Sequence, residues 1–238
     1  MYTYAITGIV HPERADVNIT DVTAQIGDIG EFKYSVLKSR IAGHLSTKRP
    51  ISNYRNAALI AERAVRGITD ALGFTNGCGY DVEIIQLLDL QNNSHQVFGV
   101  EDKIVSSLKV SERLGAETVA ELMKTKFGIY LERSFADLRE SIRAPLDSGF
   151  YCYRAIECLM HYFKNIDNIS KKQAWVNFRA QLNIEESILR DIQSASNPVR
   201  HGNVGEKTEL SREALLTKTW QVVEKFVSYA LLKSDVKC

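Results

Sequence analysis

The sequence predicts two architectures in succession: an α+β unit over residues 1–102 and an all-α helical bundle over residues 103–238. Two observations carry this. Before about residue 100, short runs in which apolar residues alternate with polar ones are interrupted by one long stretch of helical period. Beyond that point only the helical period remains, with no internal repeat or low-complexity tract. With 238 residues, 45% of them hydrophobic and 25% charged, there is enough apolar material for a proper core in one large domain or two modest ones.

The first run, YTYAITGIV from Tyr2, is aromatic and β-branched, the composition of a strand. His11-Pro12-Glu13-Arg14 interrupts it, and DVNIT at residues 16–20 predicts a second short strand. EFKYSVLKS at residues 31–39 alternates as a half-buried strand does. From Ser52 the period changes, placing Ala57, Leu59, Ile60, Ala64, Ile68 and Leu72 on one helical face. Ser52 is the expected N-cap, and Gly73 is expected to close the helix. The turn NGCG leads to the buried strand YDVEIIQLLDL, and QNNS turns the chain again before HQVFGV. Together these predict a small sheet with one long helix packed on it.

In the second unit, residues 115–143 predict one long helix, or two joined near Gly128, ending before Pro145. A helix capped by Asp147 or Ser148 follows, then two shorter ones, then a long terminal helix capped by Ser211. Asn197-Pro198 is expected to stop the helix before it, because proline disfavours helical geometry in the preceding residue.

The formal net charge of +1 argues against wide, non-specific gripping of a nucleic acid backbone. Cys78, Cys152, Cys158 and Cys238 form no CxxC pair and read as reduced thiols, with no zinc or disulfide framework. The N-terminus lacks the basic start and long apolar core of a signal peptide, and no run reaches membrane-spanning length. A cytoplasmic protein with no cofactor and no metal is therefore expected.

Two clusters could carry chemistry. Arg154, Glu157 and His161 share a helix face opposite the core stripe of Cys152, Ile156, Leu159 and Phe163. That face is either a solvated surface or a polar seam in which Glu157 holds Arg154 or Arg200. The second cluster is SASNPVRHGN, where Arg200 and His201 follow Asn197-Pro198 and precede Gly202. Either it is a helix end turning at Gly202, or arginine binds a phosphate while histidine moves a proton near neutral pH.

The helix YRAIECLMHYF, a W..FR..L segment, then A..NPVRHGN and a long terminal helix resemble the HEPN superfamily over roughly residues 150–232. Many members are metal-independent ribonucleases acting as dimers, with a signature of arginine, four to six residues, then histidine. The resemblance implies that His201 is the acid/base and Arg200 the phosphate ligand, with Arg154 and Glu157 supporting them. Asn197, Arg190 and His161 would then contact substrate. Positions five to seven before His201 are Ser194, Ala195 and Ser196, so Arg200 or Arg190 must stand in for the signature arginine. Arg154 and His161 are the literal match. The function implied is an RNA endonuclease of a bacterial antiviral or toxin–antitoxin system, acting on single-stranded RNA as a homodimer under a regulatory protein partner. The N-terminal unit would sense or dock. The alternative is a non-catalytic interaction or dimerisation module; a regulator that holds a nucleotide without cutting it is a third reading.

Overall fold

The computed structural model describes residues 1–99, 102–200 and 210–234, and of residues 198–200 the backbone alone. The chain divides into two compact units, Met1–Val100 and Glu101–Cys238.

The first unit is a six-stranded, wholly antiparallel sheet and one helix. Its elements are β1 (Tyr2–His11), β2 (Ile19–Ile26), β3 (Gly30–Leu37), β4 (Arg40–Thr47), α1 (Tyr54–Asn76), β5 (Asp81–Asp89) and β6 (Ser94–Val97). The strand order is β2-β3-β4-β1-β5-β6. One face buries Tyr4, Ile6, Phe32, Tyr34, Ile41, Leu45, Val82 and Leu87. Against it α1 lays Ala57, Ala58, Ala61 and Val65, small residues that let the helix axis come close to the sheet. The buried stripe is thus turned from the predicted one, and Leu59, Ile60, Ala64, Ile68 and Leu72 are only half-buried. The helix begins one residue later than expected, with the Asn53 side chain accepting from Arg55 N at 2.9 Å. It also runs through Gly73 to the left-handed Gly77.

The second unit contains α2 (Lys103–Ser106), α3 (Ala116–Leu122), α4 (Gly128–Arg143), α5 (Ser148–Ile166), α6 (Lys171–Leu182), α7 (Glu186–Arg200) and α8 (Arg212–Leu232). Helix α5 is its axis, burying Cys152, Ala155, Ile156, Leu159, Met160 and Phe163 among α4, α6, α7 and α8. At one end Phe127, Tyr162, Phe226 and Tyr229 cluster, with Tyr162 edge to face on Phe226 at 5.8 Å, Phe127 edge to face on Tyr229 at 6.4 Å, and the Phe127 and Tyr162 rings tilted at 4.6 Å. A Cβ on Gly149 would collide with the Ala195 carbonyl oxygen, so α5 and α7 touch backbone to backbone.

Three expectations are corrected. The fold class, a small α+β unit followed by an all-α HEPN-like bundle, gives way to a chain that is 56% helical and 21% strand, opening with a sheet of six strands. The sheet is larger than predicted because RIAGHLST forms β4, and because β2 extends well past DVNIT. Helix α7 does not stop at Asn197 but continues through Pro198 to Arg200. Its preceding turn, with Ala195 and Ser196 buried, is held against Gly149, and this packing overrides the local preference of the residue before proline.

Candidate functional site

The α5 polar face is built by three neighbouring helices. Arg154 projects from the second turn of α5 and meets Asp137 of α4, with Nε 2.8 Å from Oδ1 and Nη2 bound to the same oxygen. The Asp137 side chain is 5% exposed, whereas that of Arg154 is 46% exposed. The guanidinium also lies over the rings of Phe150 and Tyr151, at 5.0 and 5.2 Å. Its charge is therefore committed on two sides, to a buried carboxylate and to aromatic faces.

Of the two arginines expected for Glu157, Arg154 is held by Asp137, and the Arg200 side chain lies outside the described residues. Glu157, one turn along α5, instead accepts from Lys171 Nζ of α6 at 2.5 Å. A buried carboxylate needs a counter-charge more than a partly exposed one does, and Asp137, at 5% exposed against 23% for Glu157, offers the stronger pairing. Cys158 Sγ lies 3.9 Å from Asp137 Oδ2. Burial, reinforced by the Asp137 charge, pushes its thiol up to about 11, so it stays protonated and is no nucleophile. Burial likewise lowers the pKa of His161, with Glu157 pulling the other way, and leaves its imidazole neutral at pH 7.

The remaining nominated residues sit elsewhere. Arg190 pairs with Glu186 at the start of α7, where Glu186 also takes Arg179 of α6. Asn197 is exposed in the last turns of α7. Arg200 is the final residue of that helix; its side chain and the whole of His201 lie outside the described residues. Among the described residues, no group of three or more His, Cys, Asp or Glu side chains could hold a metal ion.

Sequence reasoning missed Asp137, and also a second buried pair. The Arg212 Nη1 and Nη2 atoms donate to Asp102 Oδ2 at 3.0 and 3.1 Å, and its Nε donates to Ser148 Oγ at 3.2 Å. Asp102, with a fully buried side chain, also caps α2 by accepting from Ile104 N. This clamp joins the starts of α2, α5 and α8. The signal for Asp137 was present in the sequence: with Ser134 and Ser141 it falls on the buried stripe of Leu131 and Leu138, and a carboxylate at core spacing demands a partner.

Residues 4–98 match the N-terminal domain, and residues 116–231 the C-terminal domain, of the family described as domain of unknown function DUF8168. The chain belongs to the DUF8168 family. No curated protein and no solved structure matches it. In this DUF8168 chain a groove of about 460 Å³ also opens between the α6–α7 corner and α8, floored by Leu182, Ile184, Ile188, Val222 and Tyr229. The lysines beside it are engaged: Lys218 pairs with Asp191, and Lys225 Nζ donates to the Asn183 carbonyl at 2.6 Å. Among the described residues, no helix is long and apolar enough to cross a membrane.

Proposed function

We propose that the chain is a non-catalytic interaction protein whose helical unit is used for docking rather than for cutting RNA. What supports this reading is the engagement of the nominated charges within the chain itself. Arg154 is bound by Asp137, Glu157 by Lys171 and Arg190 by Glu186. Arg154 gives its Nε and Nη2 to Asp137, so a phosphate arriving at this face meets a cation already neutralised by a buried carboxylate and gains correspondingly less from it. A cytoplasmic setting agrees with the free thiols of Cys78, Cys152 and Cys158.

The test is metal-free incubation of the purified chain with several single-stranded RNAs. Wild type, His201→Ala and Arg200→Ala should leave the RNA equally intact, and expression in bacteria should be harmless. Cleavage by wild type that His201→Ala abolishes, with the circular dichroism unchanged, would sink this reading. It would make Arg200 and His201 the working pair of a ribonuclease in an antiviral or toxin–antitoxin system.

A further inference from the structure

The two edges of the six-stranded sheet are built differently. On one side β6 spans only Ser94–Val97, and a short edge offers few backbone groups to another strand. On the other, β2 runs Ile19–Ile26 with β3 as its sole sheet neighbour among the described residues. Asp21, in the left-handed region, sits where the register shifts between Ile19 and Val22 and protects the first half of this edge. The second half, Val22-Thr23-Ala24-Gln25-Ile26, carries no charge, no proline and no bulge. Natural sheets usually guard such an edge with one of these unless something pairs with it.

The apolar layer also reaches this edge without being covered. Ile19, Val22, Ala24 and Ile26 share the core face with Phe32, Tyr34 and Val36, yet they are only half-buried. Helix α1 packs mainly on β5, towards the other side of the sheet. Ile29, in the turn after β2, is 47% exposed.

We propose that β2 pairs antiparallel with β2 of a second copy of this chain, joining two sheets into one. The segment is self-complementary. With a two-fold axis through Ala24, Val22 faces Ile26 of the other copy on the apolar side, and Thr23 faces Gln25 on the polar side. Asp21 then falls opposite Gly27, where the strand has already turned, so no like charges meet. A different protein's strand would satisfy the same backbone groups, but it would have to bring this pattern with it. The chain meets it in itself.

The inference is independent of whether the helical unit cuts RNA. Sedimentation equilibrium of the full chain should give a mass twice 26.8 kDa. The double variant Thr23→Lys/Gln25→Lys, which sets lysines against one another in the seam, should sediment as a monomer with unchanged circular dichroism. Hydrogen exchange provides the second measurement: the amides of residues 22–26 should gain protection as concentration rises through the dimer range. A monomeric wild type, a dimer that survives both lysines, or β2 exchange indifferent to concentration would each overturn the proposal. A chain that both cleaves RNA and dimerises through β2 would overturn the functional reading and leave this one standing.

Discussion

Asp89 in the sheet unit and Asp102 in the helical unit are both buried, 2% and 5% exposed, yet they are satisfied by partners of different kinds. Asp89 closes the turn between β5 and β6. It accepts from the Gln91 and Asn92 amides at 3.0 and 3.1 Å, and from Asn92 Nδ2 and Tyr54 Oη at 2.9 Å each. All its named donors are neutral, and most lie within three residues. Asp102 instead takes an arginine 110 residues away. Asp137 does likewise with Arg154, 17 residues on. A carboxylate met by nearby dipoles fixes a turn and leaves the rest of the fold alone. One met by a distant cation makes several helices depend on a single contact.

Arg212 carries the contrast between the two carboxylates most strongly. Arg212→Met takes the cation from a buried carboxylate, and helical-unit stability should fall by about 3 kcal/mol. Urea denaturation followed by tryptophan fluorescence reads this unit, since Trp175 and Trp220 both lie within it. An equal loss in the sheet unit, followed by its amide exchange, would mean that the effect of this clamp is not confined to the helices it joins.

A smaller effect is expected from Asp89→Asn, about 1–2 kcal/mol and confined to the sheet unit. The same residue sets an acid dependence. Burial alone would raise the Asp89 carboxyl, but the bonds from Asn92, Tyr54 and Gln91 outweigh it and hold the pKa below its ordinary value. Its contribution is therefore complete above the ordinary carboxylate pKa and disappears as pH falls through the lower folded value. Amide exchange of β5 and β6 measured down this range should show wild type losing protection, while Asp89→Asn, already lower, changes less. Equal slopes would remove Asp89 from the account.

The smallest effect sharpens the chemistry of the α5 face. With its thiol at about 11, Cys158 should react with iodoacetamide at pH 8 far more slowly than the exposed Cys78. Mass spectrometry of timed digests distinguishes the two, and equal rates would mean that the Asp137 pocket opens readily.

Much of the local structure could be read from the sequence, because period and caps act over a few residues. Ser170 and Ser211 cap α6 and α8 as their side chains predispose them to, accepting from Gln173 and Ala214 amides at 3.2 Å. Strand β4 was missed for a physical reason. Gly43 interrupts its apolar alternation, yet a Cβ there would sit 2.7 Å from Tyr34 Cβ and 2.8 Å from the Phe32 ring. Those two rings stack at 5.0 Å across the glycine, so the apolar bulk belonging to that position is supplied by the neighbouring strand. The α5 face was legible as a face but not as a network. Helical spacing shows that Arg154, Glu157 and His161 point the same way; it does not show that α4 brings Asp137 up beside them.

The Asp102–Arg212 clamp also bears on the order in which the chain is made. By the time residue 100 has been synthesised, Asp89 already has Tyr54, Gln91 and Asn92 to hand, and the sheet unit can close with its buried charge satisfied. Asp102 emerges next and must wait for another 110 residues before its arginine leaves the ribosome. Throughout that interval α2 and α5 lack the contact that joins their starts to α8. The first half of the protein can fold while it is being translated, and the second half folds as a whole once α8 has emerged.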